Sequence, residues 1–131
     1  MAEKISFSRK NLFGELKKHP LILSFLESNG DLSNLFDLLP ELSTERNKLY
    51  KKLYKGIGNT PVNILPLKNN NKLCIKLECD NPMGNNHYSR YWLIHLALAE
   101  AFKIIIPFET KIIEVTSGSS GIYLSMACQQ L

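Results

Sequence analysis

Residues 112–121 read Ile-Ile-Glu-Val-Thr-Ser-Gly-Ser-Ser-Gly, and an apolar helical pattern follows them to Leu131. An apolar run that breaks into hydroxyl and glycine residues before a helix predicts a strand, a tight turn and a helix N-terminus. Free backbone N–H groups and the positive end of the helix dipole attract anions there. The predicted site for a carboxylate or phosphate consists of Thr116, Ser117, Gly118, Ser119 and Ser120. The simpler alternative is a capped turn without a ligand.

The segments before this motif complete a strand-helix-strand-helix order. Residues 72–79 alternate apolar and polar side chains, residues 88–102 carry the strongest helical pattern, and residues 111–115 are apolar. Because two strands joined by a helix normally lie parallel, we predict an α/β fold in which residues 72–79 and 111–115 share one parallel sheet. An edge strand is predicted at residues 62–67, and the three asparagines at 69–71 supply the following turn.

The first half of the chain has helical periodicity instead. Three short helices are predicted before Pro40, with breaks at Pro20 and at Asn29-Gly30, and a fourth is expected to begin at Ser43. Gly58 and Pro61 then rule out a continuing helix. We therefore divide the chain into a helical N-terminal segment, residues 1–55, and a partial α/β domain, residues 56–131.

Composition narrows the class of protein. The 131 residues are 44% hydrophobic, which is enough for a buried core, and the formal net charge is +4. Many of the lysines lie on amphipathic helical segments, so a solvated helix face explains them better than a nucleic-acid interface. With no signal-peptide core and no apolar run of membrane-spanning length, a cytoplasmic protein is expected.

The three cysteines lack the spacing of a zinc site or a disulfide framework, so we expect no metal site. Cys74, Cys79 and Cys128 lie among apolar residues. This pattern predicts buried thiols in a reducing compartment.

Three motifs in fixed order resemble one family. They are residues 58–61 (Gly-Asn-Thr-Pro), residues 76–78 (Lys-Leu-Glu) followed by 81–84 (Asn-Pro-Met-Gly), and residues 114–121 (Glu-Val-Thr-Ser-Gly-Ser-Ser-Gly). Together they resemble the N-terminal part of cysteine synthase and its relatives among the fold-type II pyridoxal-phosphate enzymes. The resemblance covers about residues 56–131, and three motifs in register are far more specific than one.

This resemblance implies a cofactor and a ligand. In the family, a lysine on the helix after the Asn-Pro-x-Gly turn holds pyridoxal phosphate as a Schiff base, and the Thr-Ser-Gly loop grips the substrate carboxylate. The activity implied is β-replacement on an activated serine, and the ligand implied is a small amino acid. Asn85 and Ser119 take the positions implied for cofactor contacts, although the family has an asparagine where Ser119 stands.

The sequence departs from the family at the lysine. An ungapped match places His87 there, a one-residue insertion places Tyr88 there, and no lysine occurs between Lys76 and Lys103. A Schiff base needs a primary amine, which neither side chain has. His87 is thus the candidate catalytic residue as a general base or cofactor contact, with a polar cap or surface residue as the alternative.

The chain also stops at Leu131, before the region where the family carries its phosphate-binding loop. We therefore expect a truncated or degenerate relative, in which the missing half or a second copy covers the open edge of the sheet. The alternative is a non-catalytic module that uses the fold to bind a protein or a small anion.

Overall fold

The structure, a computed structural model, describes residues 9–28, 32–39, 41–81, 86–116 and 118–131. These ranges contain five α-helices and one β-hairpin, so the fold is broadly α/β. The helices are α1 (Arg9–Leu16), α2 (Pro20–Glu27), α3 (Thr44–Lys55), α4 (Asn86–Ala101) and α5 (Ser119–Gln130), and the strands are β1 (Val62–Pro66) and β2 (Lys72–Lys76). Short 3₁₀-helices cover Leu32–Leu38, Lys68–Asn70 and Glu78–Asp80.

Helices α2 and α3 begin where the sequence predicts, while the predicted break at Asn29-Gly30 lies outside the described residues. Pro20 occupies the first turn of α2, where its missing N–H costs nothing. The Ser43 hydroxyl accepts a hydrogen bond from the Arg46 backbone N–H at 3.2 Å and caps α3. Only the third helix differs, because Leu32–Leu38 forms a 3₁₀-helix.

Helix α4 is the centre of the core and is buried around most of its circumference. It packs against α1, α3 and α5. Trp92, Leu96 and Ala99, which share one face at helical spacing, are all buried, and so are Leu93 and Ala97 on the other side. One apolar cluster joins both halves of the chain: Leu12, Leu16, Ile22, Leu35, Phe36, Leu39, Tyr50, Tyr54, Ile57, Trp92, Leu93, Ile94, Leu96, Ala97, Leu98, Ala99, Ala101, Ile105, Tyr123, Leu124 and Ala127.

The hairpin is antiparallel and pairs Val62 with Lys76 and Leu65 with Leu73. Its turn lies at the predicted asparagines, because Asn69 and Asn70 both have φ of 61°. Asparagine tolerates this left-handed conformation better than most residues, and two such residues in a row give the twist that hairpins favour. Both faces of the hairpin are exposed to solvent.

The predicted parallel pairing of residues 72–79 with 111–115 is not present. Among the described residues, 110–116 form neither a helix nor a strand, and β2 pairs only with β1. Strand β2 also ends at Lys76, because Glu78–Asp80 turns into a 3₁₀-helix. A strand exists only when a neighbour supplies its hydrogen bonds, so residues 111–115 lack what would make them a strand.

The prediction of buried cysteines is wrong, since Cys74, Cys79 and Cys128 are all exposed. Cys74 is exposed because none of the described residues covers the hairpin. Within the described ranges, no helix is long and apolar enough to cross a membrane.

Candidate functional site

The predicted anion site lies at the start of α5. Gly118 directly precedes the helix with φ 134° and ψ −111°. An L side chain rarely adopts this conformation, so glycine is required at this position. The chain therefore turns sharply between the segment 110–116 and the helix, as the Gly/Ser motif predicts.

The side chain of Thr116 organises this turn. Its Oγ1 accepts hydrogen bonds from the backbone N–H of Gly118 at 3.2 Å and of Gly121 at 3.0 Å. A Cβ on Gly121 would lie 2.9 Å from Thr116 Cγ2, which is closer than atoms in contact can approach. Two amides thus converge on one oxygen, and glycine at 121 makes the approach possible.

Ser120 anchors the turn to the core. The Trp92 indole Nε1 donates to Ser120 Oγ at 2.9 Å, and Trp92 is fully buried. This contact couples the start of α5 to the second turn of α4. Sequence pattern alone does not predict this contact, although a buried tryptophan needs an acceptor for its N–H and a serine-rich turn can supply one.

The other predicted site residues are placed as follows. Ser119 is the first residue of α5 and is exposed. Ser117 and Asn85 lie outside the described residues. The turn geometry is present, while binding of an anion by residues 116–120 stays a prediction.

His87 lies on an exposed face in the first turn of α4. Its ring meets the Tyr88 ring edge-on, with centroids 5.4 Å apart. The structure thus places both candidates for the family lysine position, His87 and Tyr88, at the solvent-exposed start of the helix. A catalytic role for His87 stays a prediction.

A polar network joins the first two motifs. Lys76 Nζ donates to the Thr60 carbonyl at 2.9 Å and to the Thr60 hydroxyl at 2.5 Å, and it lies 3.6 Å from the Glu78 carboxylate. Asn81 Nδ2 donates to Glu78 Oε2 at 3.1 Å, while Asn81 Oδ1 accepts from the Gly58 N–H at 2.7 Å. The first two motifs occur together for a structural reason, because residues of one motif form hydrogen bonds with residues of the other.

An open groove of about 470 Å³ lies beside the turn, between the segment 110–116 and α5. Its lining mixes apolar and hydrogen-bonding groups: Thr110, Ile112, Glu114, Thr116, Gly121, Leu124, Ser125, Cys128 and Gln129. Although the Cys128 residue is exposed overall, desolvation of its thiol beside the groove raises the pKa of this thiol. A raised pKa keeps the thiol protonated and poorly nucleophilic.

Comparison with known proteins agrees with the motifs. Cysteine synthase B of Pseudomonas aeruginosa is 40% identical to this chain over 81 residues. The relationship is cysteine synthase-like. The aligned region covers 60% of this chain but 26% of that protein, so the chain spans about a quarter of the length of this curated relative. No protein-family model and no solved structure matches the chain.

The residues present do not fit pyridoxal phosphate bound as a Schiff base. The positions corresponding to the family lysine hold His87 or Tyr88, and the preceding lysine, Lys76, is occupied by Thr60 and Glu78. The Lys76 amine therefore makes hydrogen bonds within the motif network, and it precedes the positions that align with the family lysine.

Proposed function

We propose that this chain is a cysteine synthase-like protein that binds the carboxylate of a small amino acid at residues 116–121 without carrying out β-replacement by itself. The observation that carries this proposal is the convergence of the Gly118 and Gly121 amides on a single oxygen, the hydroxyl of Thr116.

A carboxylate oxygen is a better acceptor for these amides than a hydroxyl, because charge-assisted hydrogen bonds are about twice as strong as neutral ones. Within the part of the chain that is described, the backbone N–H groups of Ser119 and Ser120 have no backbone acceptor. As the first residues of α5, they offer further donors to the same ligand, and the helix dipole adds to the attraction.

The parallel sheet of the family belongs to the same proposal. We place residues 111–115 beside β2 in the complete fold, joined through α4 by a right-handed crossover. The exposure of apolar residues supports this placement. On the hairpin, Ile64 is 58% and Leu73 is 45% exposed, and on the segment 111–115, Ile113 is 85% exposed. Apolar, strand-forming residues so exposed are typical of a sheet that is completed by further strands.

Amide NMR tests the anion site directly. Titration with a small amino acid, and separately with sulfate, should shift the amides of residues 118–121 at millimolar ligand. The Gly118→Val variant should lose these shifts, because valine cannot hold the φ of 134° at which the turn forms. Nothing lies within 4 Å of a Cβ at this position, so the helical core should remain folded.

Ser119→Ala is the matched control, since it removes an exposed hydroxyl but keeps the backbone amide. It should bind like the natural sequence. Absence of shifts in the natural chain, or equal shifts in the Gly118→Val variant, would contradict the anion site.

Absorbance tests the absence of the Schiff base. With equimolar pyridoxal phosphate, the natural chain should give no saturable protein-bound band. His87→Lys and Tyr88→Lys restore an amine at the two aligned positions and serve as positive controls. A one-to-one band in the natural chain that an amine competitor removes would show that the chain does carry a lysine for the cofactor.

The alternative function is a non-catalytic interaction module. It is favoured by the hairpin, whose Ile64 and Leu67 are 58% and 53% exposed. The apolar residues before Pro40 do not favour it, because Leu35, Phe36 and Leu39 are buried in the core. This alternative would be favoured if the natural chain showed neither anion-induced amide shifts nor a cofactor band but formed a specific complex with another protein.

A further inference from the structure

The indole N–H of Trp92 is directed from the core toward the turn before α5. Trp92 is fully buried, and it is the single tryptophan of the chain. Its Nε1 donates to Ser120 Oγ at 2.9 Å, and Ser120 is the second residue of α5. The acceptor of this buried N–H is therefore a side chain of the proposed carboxylate site, so that one hydrogen bond joins the core to that site.

This contact fixes what the Ser120 hydroxyl can do. A serine hydroxyl has one proton to donate and two lone pairs that accept. The indole N–H occupies one lone pair, so the hydroxyl proton points away from the indole. Among the residues that the structure describes, this hydroxyl donates to no acceptor. Its proton is left for an acceptor that is not among these residues.

Accepting a hydrogen bond also makes the hydroxyl a stronger donor. Consecutive hydrogen bonds polarise one another, and the effect is larger where water is excluded. Ser120 is half-buried, and within the described ranges the N–H groups of Ser119 and Ser120 have no backbone acceptor. A carboxylate, which has acceptors only, matches this set of donors, while a ligand group that must itself donate does not.

We propose that Trp92 is a positioning residue for the carboxylate site, whose indole orients the Ser120 hydroxyl and strengthens it as a donor to the ligand. The inference rests on the proposed function, which places the carboxylate at residues 116–121. The chain of hydrogen bonds runs from Trp92 Nε1 to Ser120 Oγ, and from this hydroxyl to a carboxylate oxygen. Trp92 acts through Ser120 and does not touch the ligand, because it is fully buried.

Titration of the full chain with acetate tests the positioning role, with the amide shifts of residues 118–121 as the measure of binding. Trp92→Phe should raise the dissociation constant about fivefold, because it removes the hydrogen bond that orients the Ser120 hydroxyl. Leu96→Val is the matched control. Leu96 is buried on the same face of α4, so valine removes core packing but no hydrogen bond, and acetate affinity should stay within about twofold.

A double-mutant cycle separates positioning from general destabilisation. Ser120→Ala alone should weaken acetate binding at least as much as Trp92→Phe does. If the indole acts through the Ser120 hydroxyl, Trp92→Phe should have no further effect on acetate affinity in the Ser120→Ala background. Two effects that multiply in the double variant would mean that the residues act independently, and the proposal would be overturned.

The indole N–H gives a spectroscopic readout that a purely structural role would not move. Because the chain has one tryptophan, its indole N–H gives one NMR resonance. Saturation with acetate should move this resonance downfield, since a hydroxyl that donates to a carboxylate becomes a better acceptor. Ser120→Ala should abolish the response.

The outcomes distinguish this inference from the proposed function. Amide shifts at residues 118–121 without movement of the indole resonance, or equal acetate affinity in Trp92→Phe, would overturn the role of Trp92 and leave the carboxylate site intact. Absence of amide shifts in the natural chain would contradict the carboxylate site and, with it, this inference.

Discussion

Thr116 and Gly121 define the candidate site at the scale of single residues. The Thr116 hydroxyl accepts hydrogen bonds from two backbone amides. Gly121 has no Cβ that would clash with the threonine side chain. A glycine in such a turn has no Cβ and lets another group come close to the backbone. In the structure, the group that approaches Gly121 belongs to the chain itself.

Gly121→Ala should therefore lower the free energy of unfolding by about 1–2 kcal/mol, because the new Cβ would lie 2.9 Å from Thr116 Cγ2. Gly14→Ala is the control. Nothing lies within 4 Å of a Cβ at Gly14, in helix α1, so alanine should stabilise the protein by about 0.5–1 kcal/mol. Urea denaturation of both variants measures the difference, and equal effects would refute the close packing at Gly121.

Two buried tyrosines differ in their hydrogen bonding. Tyr50 OH donates to Glu100 Oε2 at 2.8 Å, while Tyr123 OH is buried without a partner among the described residues. Tyr50→Phe should lower the free energy of unfolding by about 2 kcal/mol, because it removes a hydrogen bond to a charged group. Tyr123→Phe should be neutral or stabilising by up to about 1 kcal/mol at pH 7. Urea denaturation measures the free energy of unfolding of both variants. A large decrease in Tyr123→Phe would contradict the burial of an unpaired hydroxyl.

The same tyrosines predict a pH dependence. Burial raises the pKa of Tyr123 and of Tyr50 above the ordinary value near 10. Above pH 10 the unfolded chain loses these protons while the folded chain keeps them, so stability falls as pH rises. Removing Tyr123 should reduce this slope by about 1.4 kcal/mol per pH unit. Denaturation of the natural chain and Tyr123→Phe from pH 8 to 11 measures the slope, and parallel curves would contradict the shift.

At the scale of elements, the hairpin was predictable because its signals are local. Alternating side chains set the strand, and the asparagines set the turn. The pairing of residues 111–115 was not predictable in the same way, since a strand depends on a neighbour that sequence pattern cannot supply. Apart from Leu32–Leu38, which is a 3₁₀-helix, the helices were predictable, because a helix makes its backbone hydrogen bonds within its own segment.

The turn itself makes a prediction at this scale. Asn70→Gly should stabilise the protein by about 0.5 kcal/mol, because glycine holds φ of 61° without strain and Asn-Gly is the preferred pair in such turns. Asn71→Gly is the control. Asn71 has φ −74°, so glycine there should only add flexibility to the unfolded chain and destabilise. Thermal unfolding compares the two, and the opposite order would contradict the turn assignment.

For the whole molecule, an ion pair that is largely buried connects three helices. Arg46 on α3 donates two hydrogen bonds of 2.7 Å to the Glu100 carboxylate on α4, and a third to the Leu131 carbonyl at the end of α5. Hydrogen bonding to Glu100 raises the pKa of the Arg46 guanidinium, so the guanidinium stays charged. The helical N-terminal segment is thereby fixed to the cysteine synthase-like part of the chain.

Glu100→Gln should lower the free energy of unfolding by about 3 kcal/mol, because it leaves the largely buried Arg46 charge without its counter-ion. A double-mutant cycle with Arg46→Met should give a coupling energy of about 1–3 kcal/mol. The pair Lys103–Glu41 is the control, since its side chains are 75% and 54% exposed and its coupling should be close to zero. Equal coupling in the two pairs would contradict a connecting role for Arg46.

The sequence by itself determined the helices, the hairpin and the glycine turn before α5, because periodicity, capping and backbone freedom are properties of neighbouring residues. It also indicated the cysteine synthase-like relationship through motif spacing. Only the tertiary structure decided that Thr116 occupies the amides of Gly118 and Gly121, that Trp92 holds Ser120, and that Lys76 is engaged by Thr60. Each of these contacts joins residues whose positions depend on how the chain packs, and the last two join residues 28 and 16 positions apart in the chain.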